Sequence, residues 1–203
     1  MTREAHALPG VEPDAGKLGM WAFLASEVLF FGGLFVAYLY GRTHWPQGWS
    51  GASRHTDVVL GTVNTAVLLT SSALVALGAA APARRLSARL LWSTAALGVL
   101  FLAIKGVEWH AEWRDGLVPG VDFALADTPG AEEFFALYFV MTGLHGVHML
   151  FGIALLAVLA TGARRDRPWA QARQVEVAAL YWHFVDVVWI FLYPLLYLVS
   201  RHG

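Results

Sequence analysis

Five long apolar runs divide the chain, and each run long enough to cross a bilayer carries polar or ionisable residues that lipid tolerates poorly. Residues 18–40 form 23 positions with one acid, Glu27. Residues 58–83 and 134–163, 26 and 30 positions long, carry no Lys, Arg, Asp or Glu. Residues 177–200, 24 positions, hold one acid, Asp186. A fifth run, 90–104, is clean for 15 positions and then meets Lys105 and Glu108. About 20 residues span a hydrocarbon core, so the pattern predicts an all-α membrane protein, a bundle of five transmembrane helices. An acid at the centre of such a helix costs roughly 2.5–3.5 kcal/mol on insertion scales. The polar residues are therefore expected to face protein rather than lipid.

Composition agrees: 57% of the 203 residues are hydrophobic and 14% charged, too apolar for an ordinary soluble domain. Cysteine is absent, which excludes disulfides and thiolate-ligated copper, zinc or iron–sulfur centres. The first 17 residues lack a short apolar core with a small-residue cleavage site, so no removable signal peptide is expected. A net charge of −1 gives no reason to expect a nucleic-acid partner.

Basic residues are unevenly shared between the two ends of the runs. Arg3, Lys17, Arg84, Arg85, Arg89, Arg164, Arg165, Arg167 and Arg173 fall on one side; Arg42, Arg54, Arg114 and Arg201 fall on the other. The positive-inside rule places the N-terminus in the cytoplasm and the C-terminus outside, which in a bacterium would be the periplasm. The longest loop, 110–132, then lies outside. It is acidic (Glu112, Asp115, Asp122, Asp127, Glu132) and broken by Pro119, Gly120, Pro129 and Gly130. Trp45, Trp49, Trp109 and Trp113 lie near outer helix ends and read as interfacial anchors.

At a rise of about 1.5 Å per residue, Glu27 and Asp186 both sit roughly 13–14 Å deep. His183 lies one turn shallower, and His145 and His148 fall near mid-membrane. Asn64, Lys105 and Glu108 form a second layer nearer the outside. Each residue admits a functional and a packing reading. Glu27 could shuttle a proton or anchor a lipid head group, or simply bond to a neighbouring helix. His145 and His148, three apart, could present both rings to a metal, while Gly143 and Gly146 equally favour close helix approach. Trp182, Asp186, Trp189 and Tyr193 form one stripe that most simply packs against other helices. Lys105 and Glu108 can pair at i, i+3, or the lysine can snorkel. No catalytic residue and no complete metal ligand set is expected.

Together these stretches resemble a known family. Ala25-Ser26-Glu27-Val28-Leu29-Phe30-Phe31, Val63-Asn64-Thr65, Lys105-Gly106-Val107-Glu108-Trp109, Thr142-Gly143-Leu144-His145-Gly146-Val147-His148 and Tyr181-Trp182-His183-Phe184-Val185-Asp186-Val187-Val188-Trp189 occur in the order found in subunit III of the haem–copper respiratory oxidases. The resemblance runs over about residues 18–200. It implies a cytoplasmic N-terminal segment, 1–17, and one subunit III-like domain, 18–203, with helices about 18–41, 57–82, 87–109, 133–162 and 176–200. It further implies a multi-pass, non-redox accessory subunit of a proton-pumping cytochrome c oxidase in a bacterial inner membrane. Such a subunit packs on subunit I, shares the complex with subunit II, holds phospholipid and supports proton uptake. Haem and copper belong to the partner subunits, and this chain carries no cofactor. Glu27 matches the family's carbodiimide-sensitive carboxylate. Many members have seven helices; this chain matches the five-helix type. Three alternatives stand beside this reading: subunit III of a quinol oxidase or a subunit III-like protein accompanying nitric oxide reductase; a b-type haem anchor using His145 or His148 with His183; and a small transporter or lipid carrier, whose usual paired repeats are missing.

Overall fold

The computed structural model describes residues 15–120 and 122–198. The expected N-terminal segment lies outside them up to residue 14, as do Arg3, Arg201 and the last two residues of the final expected helix. Six α-helices follow one another: α1 (Ala15–His44), α2 (Pro46–Ser53), α3 (Val58–Ala80), α4 (Arg84–Arg114), α5 (Ala131–Arg164) and α6 (Ala172–Tyr193). The last continues as a π-helical turn, Pro194–Leu198. Pro194 has no N–H to give to the helical ladder, and its ring displaces the carbonyl four residues back. The wider π turn is one way a helix absorbs that break.

All five long helices have the length and hydropathy to cross a membrane. The shortest, α6, has 22 residues before its π turn, about 33 Å at 1.5 Å per residue, against a hydrocarbon core of about 30 Å. The helices pack as an up-and-down bundle. α3 lies along α4 and α4 along α5, while α6 packs on both α3 and α5. α1 leans on α5 and α6 from outside. Burial separates the two extremes: 56% of the most apolar window of α6 is buried, against 17% for α1. The outward faces carry Leu29, Val59, Phe151 and Val107, all well exposed. The interior holds Asn64, Lys105, Glu108, His145 and Asp186. That inversion suits a hydrocarbon solvent and would be costly in water.

Local chemistry sets the helix starts. The Asp57 carboxylate caps α3, accepting from the Val59 and Leu60 amides at 2.9 and 3.1 Å. Gly130 takes φ +85° to turn the chain into α5, a left-handed conformation that a Cβ disfavours.

Two features depart from the sequence reading. The connection after α1 is itself helical, starting at Pro46, a residue suited to a first helical position. This α2 carries Trp49 inward, where it meets Tyr38 and Phe134 edge-on, each with ring centroids 5.6 Å apart. Trp49 is 2% exposed, so it closes the end of the bundle and is no interfacial anchor. Trp113, by contrast, is exposed. The second departure is at the end of α4. The helix runs to Arg114, past the end of its apolar run, and takes Glu112 with it. Leu117 and Phe123 of the following loop are buried, and the loop folds back with the Leu117 amide bonded to the Glu112 carbonyl at 2.9 Å. Glu112 is therefore a buried helical residue and not part of an exposed acidic loop.

Candidate functional site

Three polar clusters lie inside the bundle. The first joins α1 to α5. His148 Nε2 lies 3.1 Å from Glu27 Oε2, and His148 Nδ1 lies 2.8 Å from the Leu144 carbonyl. A carbonyl only accepts, so Nδ1 carries a proton. Nε2 then has two options: it accepts from a protonated Glu27, or it is itself protonated and pairs with a carboxylate. Either way the two side chains share one proton and are together neutral. Phe31 packs edge-on against the His148 ring with centroids 5.4 Å apart. The Tyr181 hydroxyl donates to the His148 carbonyl at 2.9 Å, which ties α6 to the same point. Glu27 and His148 line an open groove of about 500 Å³ with Met20, Phe23, Phe151, Leu155 and Tyr181. The groove is apolar apart from this pair and faces outward, where the acyl chains of a bilayer would lie.

The second cluster lies about two turns from the far end of α4. Lys105 Nζ donates to Glu108 Oε2 at 3.0 Å, to the Tyr138 hydroxyl at 2.6 Å and to the Tyr197 hydroxyl. The two tyrosines in turn donate to Glu108 Oε1, at 3.1 Å from Tyr138 and 2.6 Å from Tyr197. All three ammonium protons are used. Lys105 and Glu108 are 5% and 2% exposed, so the lysine does not snorkel to the surface. The network joins α4, α5 and the π turn after α6. A buried ion pair survives only when its remaining donors and acceptors are satisfied, and the tyrosines supply that here. Glu112 lies one turn further along α4, with neither carboxyl oxygen hydrogen-bonded among the described residues.

The third set ties α6 to α3. Trp182 Nε1 donates to Ser71 Oγ at 3.0 Å and Trp189 Nε1 to Thr65 Oγ1 at 3.1 Å. His183 Nδ1 lies 2.8 Å from Ser72 Oγ. Asn64 Nδ2 donates to the Phe101 carbonyl at 3.3 Å. Asp186 faces the same interior, 3% exposed, with neither oxygen hydrogen-bonded to a described group. Trp182 also explains two glycines. A Cβ on Gly98 or Gly152 would come within 2.7 or 2.9 Å of its ring.

The structure thus separates residues that depth alone grouped together. His145 and His148 point to different neighbours. His145 lies between Phe101 and Trp189, with ring centroids 5.5 and 5.2 Å away. His148 spends both nitrogens on Glu27 and Leu144, and His183 turns to Ser72. Among the described residues, no three His, Asp or Glu side chains gather as a metal site would require. Tyr138, Tyr197, Glu112 and the Glu27–His148 contact were not found by sequence reasoning. Tyrosines inside apolar runs resemble packing residues, and a contact between helices 121 positions apart has no local signal.

The sequence model described as cytochrome c oxidase subunit III matches residues 11–201. The chain belongs to that family. Relatives include cytochrome c oxidase subunit 3 of Thermostichus vulcanus, 34% identical over 194 residues, covering 93% of this chain and 90% of the relative. The protein of the same name from Synechocystis sp. is 36% identical over 202 residues, covering 97% of this chain and 80% of the relative. The chain is also similar to the heme-copper oxidase subunit I+III of Aeropyrum pernix, 32% identical over 215 residues. That match covers 96% of this chain and 25% of the relative. As a subunit III family member, the chain is a membrane protein and an accessory, non-catalytic subunit of a haem–copper oxidase. Among the described residues of this subunit III, Lys105, Glu108, Glu112, His145 and Asp186 are buried ionisable groups, and Glu27 and His148 form a half-buried pair at the groove.

Proposed function

We propose that this subunit III packs directly on subunit I of a cytochrome c-dependent, proton-pumping terminal oxidase, with subunit II in the same complex. The haem and copper belong to those partners. The observation that carries this reading is the near end-to-end similarity to named subunit 3 chains, extended by a relative whose name joins I and III in one polypeptide. The location proposed is a bacterial inner membrane, N-terminus in the cytoplasm, following the bias in basic residues.

Within the complex, the chain stabilises subunit I, holds phospholipid in its outward grooves and supports proton uptake by subunit I. Glu27 is the residue through which the last two meet. Its proton is shared with His148 at the edge of an apolar groove. Asn64, Lys105, Glu108, His145 and His183 are assigned to holding the helices together, while Asp186 is a buried acid whose oxygens meet no described hydrogen-bonding group. The test is deletion of this chain alone from an organism that carries it. The remaining oxidase should still reduce oxygen but lose activity faster during turnover. Immediate loss of all oxygen reduction, with the haem–copper subunit still assembled, would contradict the accessory role.

A further inference from the structure

Two helix starts face one cavity. The turn from α3 to α4 and the turn from α5 to α6 wall a space of about 400 Å³, whose lining includes Gly78, Ala79, Arg84, Ser87 and Ala172. The amides of Arg84 and Arg85 open α4 and that of Ala172 opens α6, and none of the three has an acceptor among the described residues. Neither N-cap, Ala83 or Gln171, returns a side-chain bond. The positive ends of two helix dipoles therefore meet here. No acid lines the cavity. Arg84 gives one N–H to the Arg167 carbonyl at 3.4 Å and forms no ion pair with a described acid.

Ser87 adds an observation independent of the helix ends. A serine or threonine inside a helix commonly returns its hydroxyl to a carbonyl one turn back, as Thr94 does to Leu90 at 3.0 Å. The carbonyl one turn back from Ser87 is that of Ala83, which already accepts from the Leu86 and Ser87 amides, each at 3.0 Å. Ser87 is 7% exposed and lines the cavity, yet its hydroxyl has no partner among the described residues. An unpaired polar group this deep is costly unless a ligand or water meets it. Gly78 and Ala79 bring the complementary chemistry. They belong to the last turn of α3, whose carbonyls have no helical donor. The cavity thus offers a cation, a hydroxyl and open amides together with a few acceptors.

We infer that this cavity is a site for inorganic phosphate, taken from solution with its bridging waters. The Arg84 guanidinium, the Ser87 hydroxyl and the open amides of α4 and α6 hold its oxygens. Inorganic phosphate keeps at least one O–H near neutral pH, and that proton goes to a carbonyl at the end of α3. Sulfate, of the same shape, has no such proton and leaves the carbonyl unpaired. The site goes beyond the accessory role proposed above and does not depend on which electron donor the oxidase uses.

The test is calorimetric titration of the full chain, in a nonionic detergent at fixed ionic strength, with inorganic phosphate or with sulfate. The unaltered chain should bind phosphate, and bind sulfate roughly tenfold more weakly, the loss expected for one missing hydrogen bond to a charged group. Arg84→Gln should weaken phosphate binding by a similar factor. Ser87→Ala, which only deletes a hydroxyl, should weaken it severalfold. Arg89→Gln removes a charge from the same end of α4 but outside the cavity, and should change nothing. No binding of phosphate, sulfate bound as tightly as phosphate, or equal weakening in Arg89→Gln and Arg84→Gln would each overturn the site. Displacement of phosphate by dioleoyl phosphatidylglycerol would also overturn it, giving the cavity to a lipid head group. Should Arg84→Gln fail to insert, Ser87→Ala carries the test, and unchanged phosphate binding by that variant would count against the proposal. Binding is read on the chain alone, so its failure leaves the accessory role standing, and a chain that assembles with no oxidase leaves the site standing.

Discussion

His148 Nδ1 is committed to the Leu144 carbonyl at 2.8 Å, so the 3.1 Å contact between His148 Nε2 and Glu27 Oε2 must hold the one proton the two side chains share. This makes Glu27 a carboxyl group with a defined partner rather than an isolated acid in a lipid-facing helix. Glu27→Gln should keep that contact, because an amide N–H can donate to the bare Nε2. The variant should assemble normally, retain most oxidase turnover and lose labelling by a hydrophobic carbodiimide. His148→Leu should be worse, leaving Glu27 without its partner at a cost of about 1–3 kcal/mol. Melting of the two variants in detergent checks the order, and a less stable Glu27→Gln would count against it.

Lys105 and Glu108 should behave as a unit. Lys105→Met alone leaves Glu108 charged and buried, and should destabilise by about 3–5 kcal/mol. Lys105→Met with Glu108→Leu should recover most of that loss, because both charges leave together. A double-mutant cycle by denaturant unfolding measures the coupling. Additive losses would show that the pair is not a closed network.

Asp186 now carries a different expectation from the one its position in the chain suggests. A buried acid ordinarily bonds a group on a neighbouring helix. Among the described residues, neither oxygen is hydrogen-bonded. Asp186→Leu, similar in shape, breaks no hydrogen bond to a described group, although Ser72 lies close by, and it removes a buried polar group, so it should assemble with stability equal to or above that of the unaltered chain. Asp186→Asn should be close to neutral. Misassembly of Asp186→Leu, seen as loss of the chain from the membrane fraction, would show that the carboxyl group has a partner essential for assembly.

Gly98 and Gly152 should not tolerate a methyl group. Each would bring a Cβ within 3.0 Å of the buried Trp182 ring. Gly152→Ala should cost about 1–3 kcal/mol through overpacking, read as a lower melting temperature. Gly106→Ala, where a Cβ meets nothing within 4 Å, is the control and should be neutral.

How much could be read beforehand follows from what each signal measures. Apolar runs report helix existence, and α1, α3, α5 and α6 overlap the runs that suggested them. They do not report where a helix stops once other chain covers it. α4 keeps going through Glu112 because the loop carrying Leu117 and Phe123 buries that turn. Trp49 lies in a segment of small and polar residues that looked like a loop, and its burial depends on Tyr38 and Phe134 from two other helices. Depth along a helix placed Glu27, Asp186 and the histidines at similar levels. Rotation about the helix axis decides which of them meet, and only tertiary packing sets it. Glu27 therefore met His148, while Asp186 met no hydrogen-bonding partner among the described residues.

The central claim is that this chain is an accessory subunit whose redox chemistry resides in its partners. Mild-detergent purification of the tagged full-length chain, with subunit identification and haem and copper quantification, tests it most directly. The account predicts a haem–copper subunit I in about equal amount with this chain, and neither haem nor copper on the chain once it is separated. Stoichiometric haem or copper on the separated chain, or a chain that purifies with no oxidase subunit, would contradict it.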